Sequence, residues 1–300
     1  MQASAKLKDA PYWIATLVIF VADVSWGVVG GWKVELNGFL IHMLIVASML
    51  SILAIRRFRQ EPRVSHTIRL MTLLILFSNA SAVLSYLIVS TNAPLIDSAL
   101  SSWDRALGFD WPSLFAWMQN HLLLRHLLQF AYASLLPQII FTGIFLGFTA
   151  RFAKLITFIQ HLVVTCLSTI LLSGLFPAAG AWKFYGIGAD VNAQMVSHFG
   201  PLRDGTLRTI NLLDIQGLIS IPSFHTVLAI LIASSMWRTP VAYVFLVLDM
   251  ATIISTPIEG GHYLVDVLAG ALLTGSAILV TASRTRMAQF PGVVTLKQCN

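Results

Sequence analysis

Ser220-Ile221-Pro222-Ser223-Phe224-His225-Thr226, residues 220–226, and Gly260-Gly261-His262-Tyr263-Leu264-Val265-Asp266, residues 260–266, decide the reading of this chain. Between them runs an apolar hairpin, broken only by Trp237-Arg238-Thr239-Pro240 and by Asp249. Each outer end of the hairpin carries a histidine, so two crossing helices can deliver both rings to one membrane face. Pro222 suits a first helical turn, because its missing N–H would have no partner there. A helix start leaves N–H groups free and adds partial positive charge, which suits a phosphate. Ser223 adds a hydroxyl, and His225 can donate a proton to a leaving oxygen. His262 and Asp266 are four apart and share a helix face. A carboxylate so placed fixes the imidazole tautomer and supports its positive charge. One histidine to attack and one to protonate is the logic of covalent catalysis.

Working outward, the composition places this pair in a membrane. The 300 residues are 57% hydrophobic and 11% charged, with mean hydropathy +0.79, outside the range of soluble globules. Apolar runs predict eight spans near 12–31, 37–55, 67–90, 127–149, 153–175, 221–237, 239–257 and 263–283, each near the length that crosses a bilayer. Pro137 should kink the fourth. The fold expected is an all-α integral membrane protein. Residues 1–65 form an N-terminal transmembrane hairpin with a basic loop. Residues 66–290 form a six-helix catalytic domain with outer loops 91–121 and 176–219.

The net charge of +6 does not indicate nucleic acid, because the basic residues lie in short loops between spans. With both termini cytoplasmic, thirteen of the 19 Lys and Arg residues fall on inner segments, from Lys6 and Lys8 through Arg56, Arg57, Arg59, Arg151 and Arg238 to Lys297. Six fall outside: Lys33, Arg105, Arg125, Lys183, Arg203 and Arg208. The positive-inside rule selects this orientation and puts both motif histidines on the extracytoplasmic or lumenal side. Lys6 and Lys8 precede an apolar run without a small-x-small cleavage site, which reads as an uncleaved first span. Cys166 lies in an apolar run and Cys299 near the end, so they are not expected to pair, and no Cys/His cluster has zinc spacing.

The two histidine strings resemble the type 2 phosphatidic acid phosphatase superfamily. Pro222, Ser223 and His225 match its P-S-x-H motif. Ser255, His262 and Asp266 match S-R-x5-H-x3-D, with Thr256 in the arginine place. That departure, together with His262-Tyr263-Leu264-Val265-Asp266, is similar to the inositol phosphorylceramide synthase branch. The resemblance spans about 150–290. It implies a six-helix phosphatase-like core and a metal-independent reaction without a cofactor. His262 would form a phosphohistidine, Asp266 would orient it, and His225 would act as acid and then base. The family's first motif, K-x6-R-P, has no counterpart string here. Arg203, then Lys183 and Arg208, stand in its chain position as phosphate-binding candidates, with a solvated loop charge as the alternative for each.

The expected partners are a phospholipid or sphingolipid substrate, the bilayer, and a polar alcohol such as inositol, or water, as acceptor. Transfer of a phospho-headgroup is favoured over hydrolysis by the Thr256 departure. The competing classes are a transporter or channel, with the histidines in an ion path, and a zinc site that would leave Pro222 and Ser223 unexplained. Trp103, Trp111 and Trp117 in the outer segment 91–121 read as an aromatic belt on short interfacial helices, or as a wall for a lipid substrate. Asp23 and Asp249 lie within spans. Asp23 reads as structural, Asp249 as a partner for a polar neighbour, and His198 as a plain loop histidine. Glu259 reads as a hydrated charge or as a contributor to acceptor binding.

Overall fold

The computed structural model describes residues 9–187 and 197–289, with side chains described to Ser283. Lys6, Lys8, Asp190 and Cys299 lie outside the described residues, as do the side chains of the basic tail after 283. The chain is almost wholly helical: α1 (Ala10–Val29), α2 (Leu36–Ile52), α3 (Arg56–Gln60), α4 (Pro62–Val89), α5 (Asp97–Ala106), α6 (Trp111–Gln119) and α7 (Leu122–Ala133) come first. They are followed by α8 (Leu135–Phe148), α9 (Phe152–Leu175), α10 (Ala181–Tyr185), α11 (Phe199–Asp204), α12 (Phe224–Met236), α13 (Ala242–Glu259) and α14 (Leu264–Gln289).

Five helices, α1, α4, α9, α13 and α14, are long and apolar enough to cross a bilayer, and the bent pair α7–α8 makes a sixth. The other two expected spans are present as shorter apolar helices, α2 and α12. A count of eight full-length spans is therefore not what helix length supports. The 13 residues of α12 reach about 20 Å at 1.5 Å per residue, short of the roughly 30 Å hydrocarbon layer. Helix α12 is the central rod, packed against α8, α9, α13 and α14. Val227, Ala229, Leu231, Ile232 and Met236 on it are fully buried. Helices α1 and α2 instead lie outside, against α4, with Leu17, Val18, Val21, Leu40 and Leu44 exposed. Apolar exposure of this kind suits lipid, whereas backbone groups must be paired within helices.

The bend of 44° falls at Ser134, between α7 and α8, not at Pro137. Proline clashes with the carbonyl four residues before it, here that of Ala133, so the break appears one turn early. Beyond the bend α8 approaches α4 closely, since a Cβ at Gly143 would meet Met71 and one at Gly147 would meet Thr67. Small residues permit such approach between membrane helices.

One end of the bundle gathers the predicted inner cations. Arg151 donates to Arg238 O (3.1 Å) and Lys154 donates to Trp237 O, at the C-terminal end of α12. Cations there complement the helix dipole. Arg69 pairs with Asp9 at 2.7 Å. At the other end a strand pair absent from the sequence expectation joins the α1–α2 turn to the late outer loop. Lys33–Val34 (β1) and Thr209–Ile210 (β2) run parallel, Lys33 opposite Thr209. Within the spans, the Asp23 and Asp249 carboxylates are buried and hydrogen-bond to nothing among the described residues, so the polar neighbour expected for Asp249 is not there.

The α4–α8 approach yields a stability test. Gly147→Leu should lower the unfolding midpoint in detergent by overpacking worth about 1–3 kcal/mol. Gly275→Leu, where a Cβ meets nothing within 4 Å, should leave the midpoint in place.

Candidate active site

Helix α12 begins at Phe224, two residues later than it would with Pro222 as its first helical residue. Ser223 is the N-cap, its Oγ accepting from Thr226 N–H (3.4 Å) and from Thr226 Oγ1 (3.3 Å). Pro222 therefore precedes the cap and is outside the first turn. Ser223 N–H is also committed, donating to Asp266 O at 3.0 Å. The N–H groups of Phe224 and His225 are then the open donors of this helix start. Ser223 keeps its own O–H as a donor, because capping uses only oxygen lone pairs.

Helix α13 ends at Glu259, and Gly260-Gly261 turn the chain into His262. Gly261 has φ 61°, a left-handed conformation that glycine adopts without cost. A Cβ at Gly261 would also strike the Trp182 ring. The short helix α10 clamps the same turn from above, with Ala181 N–H donating to Gly261 O at 2.7 Å.

The rings of His225 and His262 meet, their centroids 6.0 Å apart and their planes at 67°. His262 is 4% exposed and Asp266 fully buried. Asp266 Oδ2 accepts from Ser220 Oγ (2.6 Å), from Tyr263 N–H (3.0 Å) and, at 3.4 Å, from His262 Nδ1. A carboxylate can only accept, so Nδ1–H is the donor of this contact, and in the neutral ring it is Nε2 that carries the lone pair. His225 stacks on Tyr132 of α7, with centroids 4.3 Å apart, and His225 Nδ1 lies 3.3 Å from the Tyr132 hydroxyl. Thr256, in the place the family motif gives to arginine, turns its hydroxyl to Thr252 O (2.8 Å), and Ser255 does the same (2.7 Å).

The outer segment 91–121 supplies the support, through two carboxylates to which sequence reasoning gave no role. Asp104 accepts from Leu264 N–H (2.9 Å) and Val265 N–H (3.0 Å), capping α14 from another helix. Burial raises the Asp104 pKa, the two N–H donors oppose this, and nearby Asp266 adds to it. Asp97 accepts from Ala179 N–H (2.9 Å), Gly180 N–H (3.0 Å) and Tyr263 O–H (3.0 Å). Burial first, then Asp97, pushes the Tyr263 pKa up, so the phenol stays protonated and donates. Trp111, read as a belt residue, is fully buried and stacked between Phe115 and Tyr185, its Nε1 donating to Pro257 O at 2.9 Å. Trp103 and Trp117 are exposed, as a belt requires.

Two of the three candidate cations come together. Lys183 Nζ lies 5.1 Å and Arg203 Cζ 5.5 Å from the centre of the Phe199 ring. Arg203 also donates to Ala93 O at 2.7 Å. Burial lowers its pKa and Asp97 opposes the shift. Arg208 is separate, over the Trp32 ring at 4.9 Å beside the strand pair; among the described residues none of the three cations touches a motif histidine. His198, read as a plain loop residue, accepts from or donates to Tyr86 O–H (2.9 Å) and lies 3.6 Å from Asp214. Among the described residues no three His, Cys, Asp or Glu side chains are gathered so as to hold a metal ion. The arrangement as a whole provides a buried imidazole oriented by a carboxylate, a second imidazole facing it, and open N–H groups at the start of the helix that bears the second ring.

A family model described as the PAP2 superfamily matches residues 98–280, from α5 into α14. The match begins well before residue 150 and takes in Asp104 and Tyr132. No curated protein and no solved structure matches the chain.

Asp104 gives the test of the support. Asp104→Ala should lower stability by about 1–2 kcal/mol, the worth of a charged helix cap, read as a lower melting midpoint in detergent. Asp104→Asn, which keeps one acceptor oxygen, should lose less.

Proposed function

The chain belongs to the PAP2 superfamily, and from that premise we propose a membrane-embedded lipid phosphotransferase working through a phosphohistidine. The observation that carries the proposal is the pairing of the two rings at 6.0 Å with a carboxylate behind only one of them. That asymmetry assigns the roles. His262 Nε2, its lone pair freed by the Nδ1–Asp266 contact, attacks phosphorus; the P–N bond forms as the P–O bond to the leaving alcohol breaks. His225, protonated, gives its proton to that oxygen. An incoming hydroxyl then returns a proton to His225 and attacks phosphorus, and the P–N bond breaks. Asp266 bears the positive charge that builds on His262.

Phosphoryl oxygens would be held by the Ser223 hydroxyl, the N–H groups of Phe224 and His225, and Arg203 with Lys183, ahead of Arg208. Such donors, fixed in a water-poor site, stabilise charge as it develops. The substrate is a lipid phosphoester, because the rings stand on apolar helices at one end of a membrane bundle. That end would face the extracytoplasmic or lumenal side, since Arg151, Lys154 and Arg238 collect at the other. Transfer to an alcohol such as inositol, as in the inositol phosphorylceramide synthase branch, is favoured over hydrolysis because Thr256 supplies no cation and Tyr263 follows the histidine.

Purified chain given a lipid phosphate should release inorganic phosphate, or a new phosphoester when an alcohol is supplied. His262→Ala should lower that rate about 10³-fold or more; full turnover by this variant contradicts the assignment. Arg203→Ala should raise KM, and unchanged KM and kcat would remove it from the phosphate contacts.

A further inference from the structure

Glu259 closes α13 three residues before His262, and it is 4% exposed. Its Oε1 lies 3.6 Å from Arg125 Nε. That is an ion-pair distance, beyond the range of an N–H···O hydrogen bond. Oε1 has no hydrogen-bond partner among the described residues. Arg125, on α7, is held in turn by Gln119, its Nη1 donating to Gln119 Oε1 at 2.6 Å, and its side chain is 12% exposed. A buried carboxylate is thus neutralised in place while its lone pairs stay open.

The Glu259 side chain borders a cavity of about 390 Å³. Its polar end is Glu259, Gln129, Tyr132 and His225; Leu135 and Leu228 are among its apolar walls. An ionised carboxylate accepts hydrogen bonds and donates none. It repels a phosphoryl group and attracts hydroxyl groups. A buried acceptor of this type penalises any occupant that cannot donate to it, because the carboxylate is then left unpaired.

We propose that Glu259, locked by Arg125, is the hydroxyl-recognition element that positions a polyhydroxylated acceptor alcohol against His225. The proposal rests on the phosphotransferase function set out above and names the specificity residue of its second step. One hydroxyl of the acceptor donates to Glu259. A neighbouring hydroxyl is thereby held where His225 removes its proton as the oxygen attacks phosphorus on His262. Water, with no second hydroxyl to anchor, gains less from the same contact.

The test uses the full chain in mixed micelles with phosphatidic acid as donor and myo-inositol or glycerol as acceptor. Polyol phosphate and inorganic phosphate are measured against polyol concentration. Glu259→Gln should raise the KM for the polyol and lower the ratio of transfer to hydrolysis, each by about ten- to a hundredfold, the size of one charge-assisted hydrogen bond. Glu259→Asp, which keeps the charge, should restore part of that ratio. Because Glu259→Gln leaves the Arg125 guanidinium without its counter-charge, the double variant Glu259→Gln/Arg125→Gln is run beside it and should show the same lowered ratio. An unchanged ratio, or transfer and hydrolysis falling together in every variant, overturns the proposal. Wild-type chain that yields inorganic phosphate but no polyol phosphate also overturns it, and leaves a lipid phosphatase standing. Wild-type chain that yields neither product overturns both the acceptor site and the enzymatic function beneath it.

Discussion

The Asp266 carboxylate is the constraint on which the rest of the site depends. Taking such a charge out of water costs several kcal/mol unless donors meet it. Here Ser220, Tyr263 N–H and His262 converge on one oxygen. Ser220 comes from the approach to α12, whereas His262 and Tyr263 are consecutive residues in the turn from α13 into α14. Pairing this one oxygen therefore ties two backbone segments, the start of α12 and the α13–α14 turn, to each other. The distance between the two imidazoles follows from that, since Ser223, the cap of the helix that bears His225, donates its N–H to Asp266 O.

The bundle exists to hold this junction at one end of the membrane. Helix α12 is surrounded, so the His225 backbone cannot drift, and its far end is pinned by Lys154 and Arg151. Outside it, α5 acts as a bracket. Asp97 and Asp104 reach over to the two turns that present His262 and accept five hydrogen bonds between them. Together with the Trp111 stack, they turn what reads as an interfacial loop into the roof of the site.

The membrane class, most helix positions and the meeting of His225, His262 and Asp266 were legible in the sequence. Apolar run length and a spacing of four are local signals, and they survive folding. What was missed is non-local. Ser220 meets Asp266 across 46 residues, Tyr132 meets His225 across 93, and Asp104 meets Leu264 across 160. No period or motif marks those partners, which look like ordinary loop or interfacial residues until the helices pack. Pro137 signals the kink in the fourth span, and the break lies one turn before it because the proline's steric effect acts backwards along the helix. Ser223 stands out in the sequence through the P-S-x-H string; its duty as a cap shows only once the first turn is seen to start at Phe224. The strand pair β1–β2 is two residues long on each side, too short to leave an alternating pattern.

The central claim is that His262, backed by Asp266, takes the phosphoryl group before any acceptor does. Purified chain mixed with lipid phosphate carrying labelled phosphorus, quenched during turnover and digested, tests this most directly by mass spectrometry of the peptides. The account predicts label in an acid-labile, alkali-stable bond on the peptide containing His262, absent from the Asp266→Asn variant at the same early time. Label on a serine, on His225 instead, or on no residue while turnover proceeds at its normal rate would contradict it.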